Sequence, residues 1–107
     1  MVKQRFILAD ALSLFLLDRE AQNLAAKTLK TYRVRLTRFV TWCAGQGVPT
    51  IDDLNIAHVR RYQVELVKSL ADVTAKNHAV DIKTFLRFCV EEGLIAESPA
   101  DRVKLPR

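Results

Sequence analysis

The chain has 107 residues, half of them apolar and 27% charged, with a net charge of +5. That is room for one domain with an ordinary core, because folding at this length buries about two-thirds of the chain's surface, and it excludes a disordered composition. Three Gly and three Pro leave little punctuation, which favours a few long helices over many short strands. No run approaches the ~20 apolar residues that a membrane span requires. The basic and then apolar start, Met1 to Leu8, is interrupted by Asp10 and closed by Asp18, Arg19 and Glu20, so it does not read as a secretion signal. An intracellular, cytoplasmic and nucleoid-associated protein is expected, with no membrane partner. Cys43 and Cys89 lie in apolar helical context and are expected as buried free thiols.

Four helices are predicted. The first runs from about residue 8 to 22, with Leu8, Ala11, Leu12, Phe15 and Leu16 at helical spacing. Leu14 and Leu17 widen its apolar surface beyond what one neighbour covers. The second runs from about 28 to 46, with Leu29, Tyr32, Leu36, Phe39, Val40 and Cys43 on one side. Gly47 suits a left-handed stop, and Pro49 forbids continuation. Asn55 is placed to cap a third helix, about 56–70, whose stripe is Ile56, Val59, Tyr62, Leu66 and Leu70. Asp72 is placed to cap a fourth, about 73–92, with Ala75, Ala79, Ile82, Leu86 and Cys89 inward. Gly93 ends it, with Leu94 set for the hydrophobic contact that accompanies such a stop. Residues 97–107 contain two prolines and no periodicity, so residues 1–96 are expected as the domain and 97–107 as a linker.

The chain also resembles itself. Displaced by 46 residues, Thr28, Lys30, Val34, Phe39, Cys43 and Gly47 fall on Thr74, Lys76, Val80, Phe85, Cys89 and Gly93. Leu36/Ile82, Val40/Leu86 and Trp42/Phe88 are conservative matches. The simplest account is two helical hairpins with equivalent second members. Two repeats are too few for a solenoid, so the expected fold is all-α: a four-helix bundle of two crossed hairpins.

The charge is concentrated. Residues 27–48 carry Lys27, Lys30, Arg33, Arg35 and Arg38 and no acid, an excess equal to that of the whole chain. Such a single-signed stretch suits an anionic partner. Phosphate binding needs several Lys or Arg on one face, with hydroxyls or amides to fix register. The second helix supplies Lys27, Thr28, Lys30, Thr31, Arg35 and Arg38, and the start of the fourth supplies Thr74, Lys76 and Asn77. Catalysis finds little support. His58 and His78 have no cysteine or carboxylate at ligand spacing, there is no glycine-rich phosphate loop, and no nucleophile motif is present. No metal, cofactor or catalytic residue is expected.

The run Thr28-Leu29-Lys30-Thr31-Tyr32, followed by Leu36, Phe39 and Trp42, resembles the signature of the core-binding, SAM-like N-terminal domain of tyrosine recombinases, the phage-type integrases. Asp53-Leu54, Val59, Tyr62, Thr74, Phe85 to Phe88, Glu92 to Ile95, and the closing Pro99, Val103 and Pro106-Arg107 continue the likeness over nearly the whole chain. Glu97-Ser98-Pro99 stands where Asn-Pro is common in that family, and Asn55 where Thr or Ser usually caps. The resemblance implies a domain that clamps one face of double-stranded DNA, with its second and fourth helices facing the major groove and adjacent phosphates. A C-terminal catalytic domain, not contained in these residues, holds the other face and carries the tyrosine nucleophile. On this reading the chain binds DNA and cleaves nothing. The helix-start positions carried over are Thr28, Lys30, Thr31, Thr74 and Asn77; Arg35, Arg38 and Lys76 are added from charge and face. The resemblance also implies that the first helix docks onto another recombinase protomer, in keeping with its surplus apolar surface. The rival class is a helical protein-interaction module with an incidental basic face. A helix-turn-helix repressor is disfavoured by the long connection from Gly47 to Asn55.

Overall fold

In a computed structural model, residues 6–107 are described. They form four α-helices: α1 (Leu8–Ala21), α2 (Ala26–Gly45), α3 (Ile56–Ser69) and α4 (Asp72–Glu91). A single 3-10 turn, Ile51–Asp53, interrupts the connection between α2 and α3. No strand occurs among the described residues; Ile7 and Thr50 form one isolated antiparallel bridge. That bridge pins the start of α1, with the Phe6 N–H donating to Asp52 Oδ2 at 2.8 Å and the Leu8 N–H to the Pro49 carbonyl at 2.9 Å.

The two hairpins are α1–α2 and α3–α4. Helices α2 and α4 each have 20 residues, and α1 and α3 each have 14. The repeat seen in the sequence therefore extends to whole elements: α2 and α4 begin and end at equivalent residues. Their stops are also equivalent. Gly47 and Gly93 have φ of +78° and +75°, a left-handed geometry that costs glycine nothing. The Val48 N–H reaches the Cys43 carbonyl at 2.9 Å, and the Leu94 N–H reaches that of Cys89 at 2.9 Å. Helix α1 ends in the same motif on Asn23, at φ +61°, a stop that its sequence did not announce.

Helices α2 and α4 form the centre, each packed on the other and on both α1 and α3. Phe15 of α1 is fully buried, with its ring edge-on to Tyr32, Phe85 and Phe88 at 5.2, 5.6 and 5.4 Å between centroids. A second aromatic group joins α2 to α3, with Tyr62 packed on Phe39 and Trp42 at 5.1 and 5.2 Å. Leu36, Phe39, Ile82, Phe85 and Leu86 are buried as expected. Tyr32 is partly buried, and Leu29, in the first turn of α2, stays outside the core.

Three expectations need correction. Asp72 does not cap α4: the two-residue connection Leu70-Ala71 makes Ala71 the extended residue, so Asp72 becomes the first helical residue. Its carboxylate still favours that end through the helix dipole. Helix α2 starts two residues early, at Ala26, with no side-chain cap. Residues 97–107 do not all leave the bundle. Ser98, Ala100 and Val103 are buried, and the latter two join the core. Lys83 Nζ donates to the Ala100 carbonyl at 3.0 Å, and Gln63 Nε2 to that of Lys104 at 2.6 Å. The packed unit thus extends to Val103. Asn55 caps α3 as predicted; its Oδ1 accepts the His58 N–H, and His58 Nδ1 accepts the Asn55 N–H, both at 3.1 Å.

Candidate nucleic-acid interface

Lys27, Thr31, Arg35 and Arg38 recur at helical spacing along α2 and so share one ridge. Lys30 lies one ridge over, beside Lys27 and Val34. Of the nine residues singled out, Lys27, Thr28, Lys30, Arg38, Thr74, Lys76 and Asn77 are exposed, while Thr31 and Arg35 are half-buried. The Thr31 hydroxyl donates to the Lys27 carbonyl at 3.0 Å, a local bond that holds it against its own helix. A shallow cleft between α2 and α4 is lined by Lys27, Thr28, Thr31, Tyr32, Arg35 and Asp81.

The principal site residue missed by the sequence reading is Asp81. Arg35 Nη1 meets Asp81 Oδ2 at 3.0 Å, with the Asp81 side chain 13% exposed. Arg35 is therefore not a free cation. The signal was present, since Arg35 and Asp81 occupy equivalent positions of the repeat. Arg38 Nη2 donates to Ser69 Oγ at 3.2 Å, which ties the ridge to the C-terminus of α3. His78 of α4 is buried near these groups. Burial above all, then the charges of Arg35 and Arg38, holds its pKa below the usual 6.5, with Asp81 opposing.

Burial also governs Tyr62 and the two cysteines. Burial pushes the Tyr62 phenol up to about 12, and its hydroxyl is enclosed without a hydrogen-bond partner. Burial likewise raises the Cys43 and Cys89 thiols to about 12. Neither cysteine is in a disulfide. Among the described residues, no group of three or more His, Cys, Asp and Glu is placed to hold a metal ion, and no helix is long and apolar enough to cross a membrane.

The sequence profile of the phage integrase N-terminal SAM-like domain matches residues 14–93, most of the chain. The chain belongs to that family. The integrase domain also superposes on the crystal structure of the N-terminal domain of a phage integrase/site-specific recombinase from Haloarcula marismortui, with a TM-score of 0.87 at 18% identity. The superposition covers 97% of this chain and all of the other. At that identity the likeness establishes the all-α fold alone. No curated protein matches the chain. The matched span of the integrase domain takes in both α2 and α4, and with them every residue of the basic ridge and its equivalents.

Proposed function

We propose that this domain is the DNA-binding half of a tyrosine recombinase. It lays α2 and α4 along one face of double-stranded DNA, and a catalytic domain joined through the residues after Val103 closes on the other. The observation that carries this reading is the set of exposed side chains at equivalent starts of two central helices: Lys27, Thr28 and Lys30 on α2, and Thr74, Lys76 and Asn77 on α4. Such a set combines cations for phosphate with hydroxyls and an amide for register. Arg38 extends the basic ridge. Arg35, already paired with Asp81, acts mainly by orienting the two helices. Strand cleavage belongs to the catalytic domain, because Tyr62 is enclosed and Tyr32 packs against the core. Leu14 and Leu17 on α1 remain 40% and 63% exposed, and they are the proposed contact to another recombinase protomer.

Titration of a labelled duplex against salt tests the reading. Four cations without an acidic partner among the described residues (Lys27, Lys30, Arg38 and Lys76) give a slope of about −3.6 in log K against log salt, a loss of roughly 150-fold between 50 and 200 mM. Lys27→Ala/Lys30→Ala should reduce the slope to about −1.8. Equal affinity and equal slope in wild type and double variant would favour the protein-interaction module instead.

A further inference from the structure

We infer that α2 and α4 divide the work of recognition, α2 gripping phosphates while the exposed stripe Val73–Asn77–Val80 of α4 reads adenine and thymine in the major groove. The inference rests on the DNA-binding reading above, in which α4 faces the major groove, and assigns the bases that α4 reads.

The comparison of equivalent positions carries it. Lys27, Thr31, Val34 and Arg38 of α2 correspond to Val73, Asn77, Val80 and Thr84 of α4. The stripe that holds two cations on α2 holds none on α4. Val73 is 72% exposed, the most of any large apolar residue described, and Val80 is 39% exposed. The Asn77 side chain is exposed and makes no hydrogen bond among the described residues. Val and Asn are poor helix formers, and a solvated face of a 20-residue helix would be better served by Ala, Lys or Glu. Neither the core nor helix stability explains this choice. Base edges do. An Asn amide pairs with the N6–H and N7 of adenine, and apolar side chains pack on the C5 methyl of thymine. The three positions follow i, i+4, i+7 and span about 10 Å of helix, the rise of roughly three base pairs. Lys76, beside the stripe, supplies a phosphate anchor. Asp81 follows Val80 in the chain, and its pairing with Arg35 offsets the repulsion it would otherwise present to DNA.

The test is selection of duplexes from a random pool by the 107-residue chain at low salt, followed by titration of the winners. The pool should converge on an A·T-containing triplet. Replacing its thymine by uracil, which lacks the methyl, should weaken wild type about fourfold and leave Val73→Ser/Val80→Ser unaffected. Asn77→Ala should lose at least about fivefold of the preference for adenine. Lys27→Ala should weaken every sequence alike. Val73 is largely exposed and Val80 partly so, and an unchanged circular dichroism spectrum verifies the fold. Wild type that binds duplex but shows no thymine-over-uracil preference, or a double-valine variant that retains one, overturns the inference and leaves the DNA-binding reading standing. No duplex binding at all removes both.

Discussion

Arg35 and Asp81 stand 46 residues apart, at equivalent positions of α2 and α4, and their side chains meet at 3.0 Å. Two equivalent residues touch only where the repeats cross, so this pair marks the centre of the pseudo-symmetric layer. One partner is basic and the other acidic, so the two equivalent positions attract and link the hairpins. The pair is part-buried, and its contribution to stability is about 1 kcal/mol.

Its larger effect is on charge. Asp81→Asn should release the Arg35 guanidinium toward phosphate, tighten duplex binding at low salt and steepen the salt slope by up to about 0.9. Arg35→Ala should do the reverse, leaving an uncompensated carboxylate at the interface. A salt titration of both variants tests this. Weaker binding by Asp81→Asn would remove Arg35 from the interface.

The legibility of this fold in its sequence follows from its periodicity. Stripes such as Leu36, Phe39 and Cys43 at helical spacing make α2 readable, and the glycines at 47 and 93 mark two stops. Asn55 was equally readable as a cap, because a polar side chain before an apolar run has few other roles. The helix starts at Ala26 and Asp72 were not legible, since both follow alanines that make no side-chain cap and leave no local signature. The C-terminal segment misled for a related reason. Ala100 and Val103 are buried by tertiary contact rather than by any repeating pattern. At the candidate site, charge picked out Lys27, Lys30, Arg38 and Lys76, which are exposed, and Arg35, which is half-buried. It could not show that Arg35 has an acidic partner, because the acid lies on another helix.

Phe39 should be among the costliest core truncations. It is fully buried between α2 and α3, with its ring 5.1 Å from that of Tyr62. Phe39→Ala should cost ~3–5 kcal/mol through the cavity it leaves. Urea unfolding measures it, and a cost under about 1 kcal/mol would mean that the core repacks around the gap.

The C-terminal segment should be part of the folding unit. Truncation after Glu97 removes Val103, which is 3% exposed, and uncovers the core beneath it. The loss should be at least about 2 kcal/mol, the worth of burying one such side chain. A truncated domain as stable as the full chain would restore the segment to a simple tether.

Leu17 should be dispensable for the fold and needed for assembly. At 63% exposed, its change to Glu should alter the stability of the domain by less than about 0.5 kcal/mol. Cooperative assembly of a full-length recombinase on DNA should weaken, as read by the spacing of successive shifts in a gel titration. If Leu17→Glu unfolds the domain, the residue serves the core and the protomer contact is wrong.

His78 should make the domain acid-sensitive. The side chain is 8% exposed and its Nδ1 is enclosed without a partner. Burial first, then Arg35 and Arg38, lowers its pKa from 6.5, and Asp81 counters only in part. The folded domain thus refuses a proton that the unfolded chain accepts near its ordinary pKa. Below that pKa the unfolded state binds more protons, so stability falls as pH drops from about 6.5 toward the lower folded value, by at most about 1.4 kcal/mol per pH unit. Above that window His78 is neutral in both states and adds no pH dependence. His78→Gln removes the titration while keeping a polar side chain of similar reach. Urea midpoints measured from pH 7.5 to 5.5 should therefore fall more steeply for wild type than for the variant, with the carboxylates contributing equally to both. Parallel profiles would mean that a local opening lets His78 take up its proton without unfolding the domain.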